Sequence, residues 1–282
     1  MKKICLVLSG LLAVLIIISL ALTLMQKNMP LRHKLALVRI EGPIMDSKDL
    51  VEEIREHTRD NSIKAIVLRI DSPGGAVAPS QEIYAEVKKA AAKKKVVVSM
   101  GSIAASGGYY IAAPATRIFA NPGTLTGSIG VIMEIPNVEE LMKKIGVKSE
   151  VVKSGKNKDM GSAFRPMQPE SRQILQDVLD NVHAQFIKAV AEGRKLKIED
   201  VRSLADGRIF SGEQAHALRL VDELGTLDDA TRAAAKMAGL GEDPDVVSKK
   251  DKLSFFDMLR GKFPKEFSDI IPAVKIKYQY AP

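Results

Sequence analysis

The segment Gly101-Ser102-Ile103-Ala104-Ala105-Ser106-Gly107-Gly108-Tyr109-Tyr110 holds a serine among residues too small to obstruct it. A serine nucleophile needs an exposed oxygen, close substrate approach and backbone N–H donors nearby. Small flanking residues permit that approach. A helix N-terminus aims free N–H groups and partial positive charge at the reacting atom. The plainer alternative is an N-cap serine followed by a glycine turn. Pro73-Gly74-Gly75 is open in the same way. It reads as an ordinary turn or as an exposed N–H for an oxyanion hole, where one donor is worth about 3 kcal/mol of transition-state stabilisation.

A serine hydroxyl also needs a base. The four histidines are His33, His57, His183 and His216. None has a neighbouring carboxylate pattern that marks a triad, and each reads as a surface or packing residue. Lysine is the other choice. A lysine starts from a pKa of about 10.4, so serving as base at pH 7 requires a depression of about 3, or about 4 kcal/mol. Lys153-Ser154-Gly155-Lys156-Asn157-Lys158-Asp159 offers three lysines in a polar stretch. Taken alone it reads equally as a solvated loop.

The elements around these residues alternate. Leu35–Ile40, Ala65–Ile70, Val96–Ser99, Arg117–Ala120 and Ile129–Met133 read as strands. Asp46–Thr58 reads as a helix, and a second begins near Pro79, which suits a first turn, and runs to about Lys93. Ser106–Ala112 opens a third, directly after a strand. This alternation predicts parallel βαβ units. Ligands bind beyond the carboxyl ends of such strands, so the turns at Gly74 and Gly107 are expected to share one edge of the sheet. The second half is more helical. Glu170–Gly193 is long and amphipathic, Ser211 and Gln214 form a capping box, and Asp228–Ala238 is a further helix. After Gly239 the pattern weakens.

Composition narrows the function. Cys5 is the single cysteine, and there is no H-E-x-x-H, so neither an intrachain disulfide nor a structural zinc site is expected. The net charge is +8, but the positives are scattered and Trp is absent, which supplies poor stacking platforms for nucleic acid. Basic patches suit anionic lipid headgroups at least as well. From Ile4 to Met25 run 22 residues without a charge. As a helix they span the roughly 30 Å hydrocarbon core. An uncleaved anchor is favoured over a signal peptide, because the apolar run continues past the small residues Ser19 and Ala21. The expected organisation is an anchor over 1–26, a linker over 27–34, a catalytic domain over 35–240 and a C-terminal tail over 241–282.

Taken in order, Asp71-Ser72-Pro73-Gly74-Gly75, Ala104 to Tyr110, Thr126-Gly127-Ser128-Ile129-Gly130 and Lys153 to Asp159 resemble the motif set of the signal peptide peptidase A family. The resemblance covers about residues 35–240, and the length corresponds to the family's short, single-repeat form. It implies an α/β, ClpP/crotonase-like fold of repeated βαβ units, preceded by one transmembrane helix. It implies a serine endopeptidase with Ser106 as nucleophile and Lys158 as general base. Gly74 and Gly107 correspond to oxyanion-hole donors, and Ser128 to a serine that holds the lysine amine. No metal or organic cofactor is implied. The implied partners are cleaved signal peptides and other membrane-derived peptides, the membrane, and further copies of the chain that share sites between subunits. The implied location is the outer face of a bacterial plasma membrane. Two rivals remain at this point: a crotonase-like acyl-CoA hydratase or thioesterase, and a catalytically idle membrane scaffold.

Overall fold

The computed structural model describes residue 19, residues 33–241 and 244–248, and the backbone of 275–279. Apart from residue 19, the expected anchor over 1–26 lies outside the described residues, as do residues 27–32 of the linker. Among the described residues, no helix is long and apolar enough to cross a membrane.

The domain from Lys34 onward is an α/β fold on a mixed sheet. Strands β1 (Lys34–Glu41), β2 (Ile63–Ser72), β4 (Lys95–Ala105) and β5 (Arg117–Ala120) are parallel neighbours in that order. Strand β9 (Glu223–Leu224) extends one side and β10 (Asp245–Ser248) the other. The stretch expected as a tail therefore returns a strand to the sheet. Short β6 (Leu125–Gly127) pairs parallel with the far half of β4 and antiparallel with β8 (Ile209–Ser211). A separate three-stranded sheet joins β3 (Gly74–Ala76), β11 (Lys275–Gln279) and β7 (Ile132–Glu134).

The period of two along the strands builds two cores. Ile66, Leu68 and Ile70 of β2 face one side with Val96, Val98 and Met100, while Ala65, Val67 and Val97 face the other. A strand covered on both faces reads as continuously apolar, as Ala65–Ile70 nearly does. On the larger side lie α1 (Lys48–Arg59), α2 (Val77–Ala91), α3 (Gly107–Ala112) and the 26-residue α5 (Pro169–Arg194), which follows short α4 (Glu139–Lys144). Pro169 opens α5, where a missing N–H costs nothing. Helices α6 (Ile198–Leu204) and α7 (Gly212–Ala217) follow, the latter with the Ser211–Gln214 capping box expected from sequence. Helix α8 (Leu227–Met237) covers the opposite face through Ala230 and Ala234.

Two strand expectations are corrected. Strand β4 does not end at Ser99. It runs through Gly101 to Ala105, because its second half pairs with β6 at Ile103–Leu125, Ala104–Thr126 and Ala105–Gly127. Gly101 is part of that strand. A Cβ there would stand 2.6 Å from the Asp71 carboxyl carbon, and Asp71 accepts the Ile103 N–H at 3.1 Å. The strand expected over Ile129–Met133 starts later, at Ile132, after a turn in which Ser128 holds φ 49°.

Candidate active site

Ser106 caps α3 directly after β4, with φ 54° and ψ −116°. That is a conformation natural to glycine, and a side chain there costs about 1–3 kcal/mol. The plain capping reading does not describe it, since its hydroxyl makes no cap hydrogen bond. The residue is 1% exposed, and among the described residues its Oγ has no hydrogen-bond partner. The backbone around it is fixed instead: the Ser106 N–H donates to Gly127 O at 2.9 Å, and its carbonyl accepts the Tyr110 N–H at 2.8 Å. Tyr109, fully buried, donates its hydroxyl to Leu220 O at 2.9 Å and ties α3 to the domain's second half. Burial pushes that phenol well above its ordinary value, so it stays a neutral donor.

The two glycine segments meet, as their positions after parallel strands predict. A Cβ on Gly107 would lie 2.6 Å from Ser80 Oγ, 3.2 Å from Gly75 N and 3.3 Å from Gly74 Cα. One on Gly108 would lie 2.9 Å from the Ser72 carbonyl oxygen. Gly74, at φ 98°, donates its N–H to Ser72 Oγ at 3.1 Å, and its carbonyl accepts the Ile44 N–H at 2.9 Å. Its N–H must turn from Ser72, or be shared with it, to serve an oxyanion. The hydroxyl of Ser72 is a feature that sequence reasoning missed.

Ser128 is brought beside Ser106 by register. Ala105 and Gly127 are paired residues on neighbouring parallel strands, and Ser106 and Ser128 are the residues that follow them. Such strands lie about 4.8 Å apart. The Ser128 N–H donates to Arg208 O at 2.8 Å. Ser128 also lines a cavity of about 460 Å³ with Asp180, His183 and Asp206. Among the described residues, His183 Nε2 is buried without a hydrogen-bond partner.

Lys158 is exposed on the loop before α5, and within the single chain it is not hydrogen-bonded to Ser106. Its two neighbours are engaged. Lys153 donates to Asp159 Oδ1 at 2.7 Å and to Lys156 O at 2.8 Å, and Lys156 pairs with Glu170 at 2.5 Å. Arg165, which the sequence did not single out, grips the other oxygen of Asp159 at 2.6 Å. The hydrogen bond from Lys153, helped by the Arg165 charge, holds the Asp159 carboxyl below its ordinary range. Among the described residues, the Lys158 amine makes no ion pair or hydrogen bond. Among them too, no group of three or more acidic, histidine or cysteine side chains converges to hold a metal.

A strained serine between a parallel strand and a helix, backed by a second glycine edge, is the arrangement of a serine hydrolase of the Clp protease-like class. Residues 36–125 match the Clp protease family model. Residues 88–241 match the model of peptidase family S49, and the chain belongs to that family and is a serine peptidase. A Synechocystis sp. protein provisionally named a protease is 48% identical over 217 residues, covering 77% of this chain and 78% of its own. Protease 4 of Salmonella typhi is 38% identical over 256 residues, covering 85% of this chain but 41% of its own. An Enterococcus faecium protein provisionally named signal peptide peptidase SppA is 34% identical over 209 residues, covering 74% of this chain and 61% of its own.

Proposed function

We propose that this chain is a membrane-anchored endopeptidase in which Ser106 of one subunit works with Lys158 of a neighbouring one. The observation that carries the reading is the state of Ser106 Oγ: buried, held in a strained turn and without a hydrogen-bond partner among the described residues. Lys158 stands exposed on the same chain. In the stretch 141–164 that contains it, Leu141, Ile145, Val147, Val151, Val152 and Phe164 are exposed as well. A run of exposed apolar side chains suits a surface that another subunit covers, and covering it desolvates the lysine, which favours the neutral amine.

In this reading the neutral Lys158 amine takes the Ser106 proton as Oγ attacks the scissile carbonyl. Ser128, one residue past the strand pair that sets Ser106, orients the amine. The N–H groups of Gly107 and Gly74 receive the developing oxyanion. The ammonium protonates the leaving amine, and water, deprotonated by the same lysine, releases the acyl group. The substrates proposed are cleaved signal peptides and other membrane-derived peptides, a class supported by the name of the Enterococcus relative. The apolar segment Ile4–Met25 supports a single-pass anchor. With it goes a catalytic domain on the outer face of a bacterial plasma membrane.

The test is complementation. Ser106→Ala and Lys158→Ala chains are each expected to be inactive on a fluorogenic signal-peptide substrate. Mixed oligomers verified by mass should regain part of the activity. Verified mixed oligomers that stay inactive would place both groups in one chain.

A further inference from the structure

Ser106 opens α3, and past the other end of that helix lies a second cavity, of about 420 Å³. Tyr84, Ala91, Pro114 and Ala115 give it an apolar wall. Its charged lining is Lys88, Glu192, Arg194, Lys195 and Asp222. The volume falls within the range of about 300–1,000 Å³ usual for small-ligand sites.

The charges do not cancel. Lys88 pairs with Glu192 at 2.9 Å, and Arg194 with Asp222 at 2.5 Å. Lys195, which caps α5, has no ion-pair partner among the described residues. The Arg194 side chain is 5% exposed, and its buried Nε has no hydrogen-bond partner among them either. Asp222 is not free to turn toward it, because its other oxygen accepts the Ile118 N–H at 2.7 Å. A guanidinium carries five N–H donors in one plane and can hold an oxyanion through two of them. Leaving such a group under-bonded where it is buried is costly. Arg194 lines the cavity, so a small turn of its side chain brings the spare N–H to an occupant. Helices α2 and α5 end here with partial negative charge, which the amines of Lys88 and Lys195 offset.

The apolar wall selects among oxyanions. Inorganic phosphate leaves it bare, whereas a carboxylate on an apolar residue covers it and gains from the burial. The chain is a serine peptidase, and every peptide bond it cuts leaves a new α-carboxylate. We infer that this cavity binds the terminal carboxylate of an apolar peptide, the product class of the chain's own reaction, with Arg194 and Lys195 as its cationic partners. The inference rests on peptidase activity but not on which lysine serves Ser106.

The cavity is joined to the nucleophile's helix. Tyr84 meets Tyr110 of α3 with ring centres 4.9 Å apart, and the Tyr110 N–H donates to the Ser106 carbonyl. Gly193 packs so closely on the end of α3 that a Cβ there would stand 2.2 Å from Ala113 O. An occupant therefore bears on the placement of Ser106 rather than on substrate contacts. It is expected to lower kcat and leave KM unchanged.

The binding test uses full-length Ser106→Ala chain in detergent and acetyl-alanyl-photoleucine, a diazirine dipeptide with a free carboxylate. Photolysis and peptide mapping should show saturable labelling within residues 84–91, 114–116 or 192–195. The same dipeptide as its C-terminal amide should label these segments about tenfold less, since it lacks the charge that Arg194 meets. Ala91→Phe fills the cavity and leaves Arg194 paired with Asp222. It should abolish the labelling and keep the melting temperature. Arg194→Gln should weaken the labelling by about tenfold or more. Equal labelling by acid and amide, or labelling that Ala91→Phe does not reduce, overturns the inference and leaves the peptidase reading standing. In the chain with Ser106 intact, acetyl-alanyl-leucine should lower kcat several-fold with KM unchanged, and Ala91→Phe should be insensitive to it. An effect on KM alone that persists in Ala91→Phe would put the peptide at the active site and overturn the coupling to α3.

Discussion

Lys153 donates to Asp159 Oδ1 at 2.7 Å, and Arg165 holds the other carboxylate oxygen, so one acidic group closes the loop on which Lys158 stands. Because the Asp159 carboxyl sits below its ordinary value of 3.8, it binds protons less readily folded than unfolded. Its contribution to order is therefore fully present above that ordinary value. It is lost as pH falls through the lower, folded one. Hydrogen exchange over residues 153–165, corrected for intrinsic rates, should be flat from pH 7 to about 5 and should rise only below about pH 4. Asp159→Asn should show the loosened loop already at pH 7 and lose the acid dependence. Equal protection in the two proteins at pH 7 would show that other contacts order the loop.

A second prediction concerns the crowding between Gly107 and Ser80. A Cβ at position 107 would stand 2.6 Å from Ser80 Oγ, which is buried and donates to Ala76 O at 2.9 Å. Overpacking of that kind costs about 1–3 kcal/mol. Gly107→Ala should be destabilised by about that amount and lose turnover, since the Gly107 N–H shifts with its backbone. Removing the obstructing oxygen in a Ser80→Ala/Gly107→Ala double variant should recover part of the stability. The recovery should be incomplete, because Gly75 N would still stand 3.2 Å away. Thermal melts of the four proteins give the coupling. Simple additivity would mean that Ser80 is not the residue in the way.

Much of the site's neighbourhood is legible in the sequence for local reasons. Ala65–Ile70 reads as a strand because both its faces are covered, and Ser106 reads as a strand-to-helix residue because small residues surround it. What is not legible depends on partners distant in sequence. The strand reading stops at Ser99, because nothing local shows that the Asp71 carboxyl occupies the space of the missing Cβ at Gly101. The three residues of β6 are too few to show a period, yet their register with β4 sets Ser128 beside Ser106. Strand β11 falls where the sequence pattern weakens, and nothing local names β3 and β7, each three residues long, as its neighbours. Arg165 is equally silent in sequence, because its role arises from the way the loop folds back on Asp159.

A third prediction separates backbone strain at Ser106 from loss of its hydroxyl. With φ 54° and ψ −116°, any residue carrying a Cβ is strained at this position. Ser106→Ala keeps the Cβ and removes only the oxygen. Ser106→Gly removes both and relaxes the turn, against an entropy cost of about 0.5–1 kcal/mol. Both variants should be inactive. The glycine variant should be the more stable of the two by about 1 kcal/mol, or about 2–4 °C in Tm. A glycine variant that melts below the alanine one would mean the turn is not strained in the folded protein.

The last prediction assigns the base among three lysines within six positions. Lys153 is committed to Asp159, and Lys156 reaches Glu170 on an exposed surface pair. An approaching serine would have to displace a carboxylate from either amine. Lys158 makes no such pair among the described residues, so an approaching serine would have no carboxylate to displace. A guanidinium stays protonated at any accessible pH and accepts no proton from serine. Lys158→Arg should therefore lower kcat by about 100- to 10,000-fold at every pH. Lys153→Arg and Lys156→Arg keep a cation opposite Asp159 and Glu170 and should retain most activity. The two active arginine variants should keep the pH profile of the parent enzyme, because neither replaces the catalytic amine. If Lys156→Arg were inactive and Lys158→Arg active, a serine and lysine mechanism would survive, but with Lys156 as the base.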